Sequence, residues 1–383
     1  MRICHVTPHL PPDQGANSLL PAELAQWAHE QGHDVSLLSY EPSQGGVAAG
    51  FPFLKVERLT RRDRGGALRR ALRLDTMAHA RRVSAALDAV ASGADVLHLH
   101  SNGLIVETAA RWATSRGVPY VLTLYGTEIW HYKPRWPFDL FTRAYRGADT
   151  VTFYSRKLME RAHELGLSRP HMDVVYPTVP AMFGPRNDRE RAAIRNALGI
   201  AEPLVILNVK RLHELAGQRY LIDAFAAVAA SRNDVRLVIC GTGSLDAELK
   251  AQARAAGIAG RVTFTGLVSN DVVARYAALA DVFALPSLLE ALPTVAVEAL
   301  ASGTPVVSAD HPGGLELHEL FGDDVRLVPR SDVGQLTIAL REALDSPRRV
   351  GSLTLSAVQR HFGEQTVRAT YDAIYARLVK DGV

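Results

Sequence analysis

The sequence predicts an α/β fold made of two doubly wound parallel sheets, and three observations carry that expectation. Short apolar runs alternate with helix-length amphipathic stretches almost throughout, which is the pattern of repeated βαβ units. Between Tyr176 and Pro185 the chain places Pro177, Pro180 and Pro185 close together, and the strand–helix rhythm then starts again, as at a linker. The chain has 383 residues, comfortable for two domains at roughly 150 residues each. The expected organisation is a Rossmann-like domain over 1–180 and a second over 181–360, facing a cleft.

The elements follow in order. Arg2-Ile3-Cys4-His5-Val6 reads as a first core strand. A helix is expected over Pro21–Gln31, with proline at its start and Gly32 as its stop, before a strand over Asp34–Leu38. Asp95–His100 is the next strand, then a helix over Gly103–Arg116 and strands over Tyr120–Leu124, Thr150–Phe153 and Asp173–Tyr176. After the prolines come a strand over Leu204–Val209, a helix over Tyr220–Ser231, a strand over Val235–Cys240 and a helix over Asp246–Ala256. Arg261–Phe264 and Asp281–Ser287 read as further strands, and Gly303-Thr304-Pro305-Val306-Val307 closes a helix and opens another strand.

Composition removes several function classes. Hydrophobic residues make up 47% and charged residues 22%, with a net charge of +3, so bulk charge gives no reason to expect nucleic acid. No apolar run reaches the ~18 residues of a membrane span, and the start reads as a core strand, not a signal peptide. Cys4 and Cys240 each fall inside an expected buried strand. They read as small core residues in a reducing cytoplasm and not as a disulfide or metal framework. Between Lys55 and Arg82 the chain carries Arg58, Arg61, Arg62, Arg64, Arg69, Arg70, Arg73, Arg81 and Arg82 against Glu57, Asp63 and Asp75. A basic amphipathic helix over Ala67–Leu74 would suit an anionic membrane surface. The plainer reading, a solvated helix face, is preferred.

The residues suited to chemistry gather at expected strand exits, where open parallel sheets bind ligands. Glu290 and Glu298 stand eight positions apart across a strand–loop–helix junction, with Pro293 between them at the expected first helical turn. The amides of such a helix start, from Leu292 through Pro293 and Thr294 to Val295, suit a phosphate. Arg211 ends the strand over Leu204–Val209, and its fork matches phosphate oxygens. Lys210 should point the other way, since side chains alternate along a strand. Gly241-Thr242-Gly243 is either an ordinary turn or a close backbone approach to a nucleotide. Thr265, in Val262-Thr263-Phe264-Thr265-Gly266, could sit against a base or belong to a plain turn.

In the first half, Gly15 lies in a turn after the first strand. His98 and His100 share a face of their strand. They could ligate a metal, but no Cys, Asp or Glu partners accompany them. His100, nearer the strand exit, better suits a substrate hydroxyl, and His98 a core position. Leu124-Tyr125-Gly126-Thr127-Glu128 belongs to the same rim, and Ser155 suits a helix cap. Full dinucleotide and P-loop fingerprints are absent from the sequence, as is a serine-hydrolase elbow.

Taken in order, these motifs resemble the retaining GT-B glycosyltransferases of family 4, the glycosyl transferases group 1. Glu290…Glu298 matches the family's E-x7-E motif, and Arg211-Leu212 its Arg-Leu strand end. Gly241-Thr242-Gly243, Val262–Gly266 and Ala301-Ser302-Gly303-Thr304-Pro305-Val306-Val307 match further landmarks. The stretch from His361-Phe362 to Tyr375 looks like the family's closing helix, so 361–383 is expected to cross back to the first domain. The resemblance implies a hexosyl transferase acting on a UDP-, GDP- or ADP-sugar, retaining, with neither metal nor cofactor. The acceptor would be a glycan, surface polysaccharide, lipid-linked hydroxyl or small molecule. It assigns the nucleotide ribose to Glu298, the transferred sugar to Glu290, and the diphosphate to Arg211 with the amides of 292–295. It assigns the sugar and acceptor side to His100, and a loop approaching the diphosphate to Gly15.

The sequence departs from the family at Ala216-Gly217, where Lys-Gly is usual, at Tyr125, where His is usual, and at Glu128, Ala291-Leu292 and Pro177-Thr178-Val179. The alternatives are an inactive homologue acting as a binding partner, or a GT-B sugar-nucleotide epimerase or hydrolase.

Overall fold

The structure is a computed structural model describing residues 1–13, 16–43, 50–61, 74–134 and 139–381. The chain divides into two compact units, Met1–Tyr176 with Arg368–Val383, and Pro177–Val367. Gly15 and most of the arginine-rich stretch, residues 62–73, lie outside the described residues.

The first unit holds a seven-stranded sheet in the order β3-β2-β1-β4-β5-β6-β7, parallel throughout. Its strands are β1 (Arg2–Val6), β2 (Asp34–Tyr40), β3 (Lys55–Leu59), β4 (Val96–His100), β5 (Tyr120–Leu124), β6 (Thr150–Phe153) and β7 (Met172–Val174). The chain begins at the centre, winds outward through β2 and β3, then returns beside β1 and winds the other way. The winding therefore reverses between β1 and β4, the place where such sheets take ligands.

The second unit repeats the plan with six parallel strands in the order β10-β9-β8-β11-β12-β13. They are β8 (Leu204–Val209), β9 (Val235–Cys240), β10 (Val262–Gly266), β11 (Val282–Leu285), β12 (Val306–Ala309) and β13 (Val325–Val328). Here the reversal falls between β8 and β11. Its core is fully buried and apolar, built on Ile206, Leu221, Phe225, Leu237, Ile239, Val282 and Leu340. Burial of each such side chain contributes about 1.5–3 kcal/mol.

One device recurs where strands begin. Asp95 accepts the Arg2 amide at 2.7 Å, Asp149 the Tyr120 amide at 2.8 Å and Asp281 the Val205 amide at 2.8 Å. Each aspartate stands just before a strand and satisfies an N–H in the first two residues of the neighbouring one, a group the backbone ladder would otherwise leave open. Register is thereby pinned at β1–β4, β5–β6 and β8–β11. Asp281 also binds Arg191 at 3.0 Å, on the helix Asp188–Ala197, whose Asn187–Glu190 capping box starts it.

Three details differ from the sequence expectation. The first helix runs Ala16–Glu30, so Pro21 is interior to it. The Asn17 carbonyl, which Pro21 cannot bond, lies 3.4 Å from the Thr7 hydroxyl, itself shared with the His9 carbonyl at 2.9 Å. Strands β3 and β13 are added at sheet edges. Pro293 is the residue before the helix Thr294–Ala301 and not within its first turn.

Candidate functional site

The C-terminal ends of five adjacent strands, β10, β9, β8, β11 and β12, bring the expected residues of the second unit to one edge. Arg211 leaves β8 exposed, with no side-chain partner among the described residues. Lys210 corrects the expectation that it turns away: its Nζ lies 2.6 Å from Glu290 Oε1, both side chains being about one-fifth exposed or less. The regular alternation of β8 stops at Val209, and the loop after β11 brings the carboxylate across the sheet's reversal point.

Gly241 and Gly243 follow β9 and lie directly against the exit of β8. A Cβ at either would stand 2.1 Å from the Lys210 or Leu212 carbonyl oxygen. The same strip is held by Lys210 N–H donating to Cys240 O at 3.0 Å and Leu212 N–H to Thr242 O at 2.9 Å. The glycines therefore have a packing reason within the protein, which keeps Lys210 and Arg211 in place. Thr265, half-buried on β10, donates its hydroxyl to the Gly266 carbonyl at 3.0 Å.

On the other side of the reversal, Leu292 and Pro293 are buried and Pro293 caps the helix Thr294–Ala301 without a side-chain hydrogen bond. Helix starts carry open N–H groups, and here those of Thr294 and Val295 come first. Pro293 has no amide to add, which narrows the expected cradle to Leu292, Thr294 and Val295. Glu298 follows Thr294 by one turn, partly exposed on the same helix face.

The loop carrying Glu290 is fixed from β12. Gly313 N–H donates to the Glu290 carbonyl at 3.0 Å. His311 caps the helix Pro312–Phe321 by accepting the Gly314 N–H at Nδ1, 2.9 Å away. Its Nε2 therefore carries the hydrogen, and it is buried without a partner. Burial first, then the charge of Lys210, pushes the His311 pKa down to about 3. His213, also near Lys210, is pushed down for the same two reasons. No spacing pattern marks His311, because it reaches the Glu290 loop only through the helix start that it caps.

In the first unit the β4 histidines form the inner part of a hydrogen-bonded chain. His5 on β1 stands opposite His98 in register. His98 is fully buried, with Nδ1 2.7 Å from the Tyr375 hydroxyl and Nε2 2.6 Å from the Thr123 hydroxyl. His100 is fully buried as well, with Nε2 3.0 Å from His5 Nδ1 and Nδ1 2.8 Å from the Tyr125 hydroxyl. Burial keeps all three imidazoles neutral: His5 falls to about 3, and His98 and His100 fall well below the usual value.

Among the described residues these three histidines are the one group whose ligand atoms lie close enough to hold a metal ion, within 4.8 Å. The rings of His98 and His100 stack at 4.0 Å, however, and five of the six nitrogens bond each other or a hydroxyl. That arrangement holds protons in place. It also changes the reading of His100, whose nitrogens are both engaged, so that it orients Tyr125, the partly exposed member of the chain. Ser101, at φ 68°, donates to Glu128 Oε1 at 2.5 Å, and the Gly126 amide donates to Glu128 Oε2 at 2.8 Å. The buried Glu128 carboxylate thus ties the loop after β4 to the loop after β5. Ser155 caps the helix Arg156–Glu164 through Leu158 N–H.

Of the described arginines in the basic stretch, Arg61 binds Asp13 and Ser43, and Arg82 binds Thr60 and His79. No helix among the described residues is long and apolar enough to cross a membrane.

Two family models match the chain in succession: a glycosyl transferase 4-like domain over residues 21–178, and glycosyl transferases group 1 over residues 190–359. A 2-deoxystreptamine glucosyltransferase of Streptomyces kanamyceticus is 27% identical over 67% of this chain and 70% of its own. A GDP-mannose-dependent alpha-(1-6)-phosphatidylinositol monomannoside mannosyltransferase of Mycolicibacterium smegmatis is 33% identical over 56% of this chain and 57% of its own. Among solved structures, Anabaena HepE in complex with UDP and glucose superposes with a TM-score of 0.73 at 18% identity, over 98% of this chain and 100% of that one.

Proposed function

Because the chain belongs to the group 1 glycosyl transferases and has the GT-B fold, we propose that it moves a hexosyl group from a nucleotide-diphosphate sugar to a hydroxyl acceptor, with retention and without a metal. The observation that carries the donor reading is the convergence at the reversal between β8 and β11. Two cations, Lys210 and Arg211, leave one strand there, and Glu290 with an open helix start leaves the other. The names of the mannosyltransferase relative and of the UDP complex support a nucleotide-linked donor.

In this reading Arg211 and the amides of Leu292, Thr294 and Val295 hold the diphosphate, Glu298 holds the ribose hydroxyls and Glu290 the transferred sugar. The bond from the sugar's anomeric carbon to the diphosphate oxygen breaks, and the acceptor oxygen bonds that carbon on the same face. The electron pair of the broken bond leaves with the diphosphate, so charge develops on the leaving group, and the acceptor's proton passes to a diphosphate oxygen. Fixed donors aimed at that charge supply most of the stabilisation, each on the order of 3 kcal/mol. Tyr125, oriented by His100, is assigned to the acceptor side. Gly241, Gly243 and Thr265 are assigned to the base side, and Gly15 to a loop approaching the diphosphate. Cytoplasmic residence is proposed on the two buried free cysteines; for the basic 58–82 stretch a solvated face is the preferred reading and contact with anionic lipid the second.

The test is a panel of UDP-, GDP- and ADP-sugars, read as release of nucleoside diphosphate and as thermal shift. Glu298→Ala should weaken nucleotide binding, and Glu290→Ala should lower turnover more than binding. Silence of every donor in both readouts defeats the proposal.

A further inference from the structure

The Lys210–Glu290 pair joins a cation next to Arg211 to the acid assigned to the sugar. We infer that this pair is an exchangeable latch: the arriving diphosphate takes Lys210 from Glu290, and the freed carboxylate takes the hydroxyls of the transferred sugar. The inference rests on the donor reading above and goes beyond it by giving Lys210 a role in binding and release.

The surrounding cations point to Lys210. Ala216 is buried and brings no charge, in a turn tied to the β11 exit by Leu288 N–H donating to Leu215 O at 2.8 Å. Arg219 is held on the surface by Glu248 at 2.6 Å and Glu214 at 3.0 Å. A diphosphate with two or more negative charges therefore meets Arg211, which has no side-chain partner among the described residues, and Lys210, which is neutralised by a single carboxylate. The groups facing Lys210 are Glu290, His213 and His311, and both histidines are neutral near pH 7. Glu290 is thus its main electrostatic competitor for a phosphate oxygen.

The exchange leaves both half-buried groups with a partner only when the whole donor is present. A complete sugar nucleotide gives Lys210 a phosphate and Glu290 a set of hydroxyls. A nucleoside diphosphate gives Lys210 a phosphate and leaves Glu290 unpaired, which is costly for a half-buried charge. Lys210 then returns to Glu290 and the product leaves.

The experiment is calorimetric titration of the wild type, Lys210→Gln, Lys210→Arg and Glu290→Gln with the nucleoside diphosphate that binds, and with the corresponding nucleoside. Lys210→Gln should weaken the diphosphate about tenfold, the scale of one charge-assisted hydrogen bond, and Lys210→Arg should restore it. Glu290→Gln removes the competitor and should tighten the diphosphate about tenfold by the same scale while lowering turnover. The nucleoside should bind all four proteins alike. A pair that is only structural would weaken both ligands together in either variant, and that result overturns the inference. So does a Glu290→Gln variant with unchanged or weaker diphosphate affinity. A wild type that binds no nucleoside diphosphate overturns the donor reading itself, and the latch with it.

Discussion

Replacing Gly313 by alanine tests how tightly the Glu290 loop is held. An added Cβ would stand 2.7 Å from Pro293 Cδ, 3.0 Å from the Ala291 carbonyl oxygen and 3.1 Å from the Ala291 carbonyl carbon. Carbon atoms pack best at roughly 3.5–4.0 Å, so the loop from Ala291 to Pro293 must retreat by about 0.8 Å or more. Those neighbours are backbone and a proline ring, which cannot rotate aside. Overpacking of this kind costs about 1–3 kcal/mol. At about 2–4 °C per kcal/mol for a unit of this size, the second unit should melt about 4–8 °C lower for a cost of 2 kcal/mol. The shift also exceeds the ~0.5 Å tolerance of a working site, so release of nucleoside diphosphate should fall by tenfold or more with a folded protein. Thermal melting and the donor-panel assay read the two effects. Wild-type melting together with wild-type turnover would refute the claim that Gly313 sets the position of the loop.

Further outcomes follow from the first unit and from the histidines. Tyr125→Phe removes the partner of His100 Nδ1; stability should fall by about 1–3 kcal/mol in denaturant titration, and turnover should fall more than donor affinity. Glu128→Ala leaves the Ser101 hydroxyl and Gly126 amide without acceptors, and should cost about 2–4 kcal/mol by the same scale. Histidines whose folded pKa is depressed bind protons only on unfolding, so their contribution is complete above about pH 6.5 and is lost as pH falls toward 3. The first unit holds His5, His98 and His100 and should lose stability with pH more steeply than the second; a flat profile between pH 7 and 5 would contradict this. Co-sedimentation with liposomes should rise with anionic lipid if the basic stretch docks there, and equal partitioning would remove that proposal.

The fold class was legible because central strands are almost wholly apolar. Leu204–Val209 and Val235–Cys240 bury nearly every side chain, so neither needs long-range knowledge to be seen. The edges were not legible. Lys55-Val56-Glu57-Arg58-Leu59 is a half-exposed edge strand whose charges hide its alternation, and Val325–Val328 is four residues long. Pro21 misled for a physical reason, since proline favours helix starts and its tolerance here depends on a distant Thr7 hydroxyl. At the site, residue types and strand exits could be read locally, but pairings could not. Lys210 meets Glu290 across 80 positions of sequence only because the chain reverses direction between β8 and β11. His5 could have been linked to His98 only by knowing that β1 and β4 are neighbours.

The hydroxyl of Tyr375 closes on His98 across 277 positions, and the first compact unit takes in Arg368–Val383 as well as Met1–Tyr176. During synthesis, the residues that seal the histidine cluster leave the ribosome after Pro177–Val367 has been made. The unit begun first is therefore finished last. A released chain ending at Val367 should carry a protease-resistant second unit and a protease-sensitive first one, the reverse of the usual N-to-C folding order.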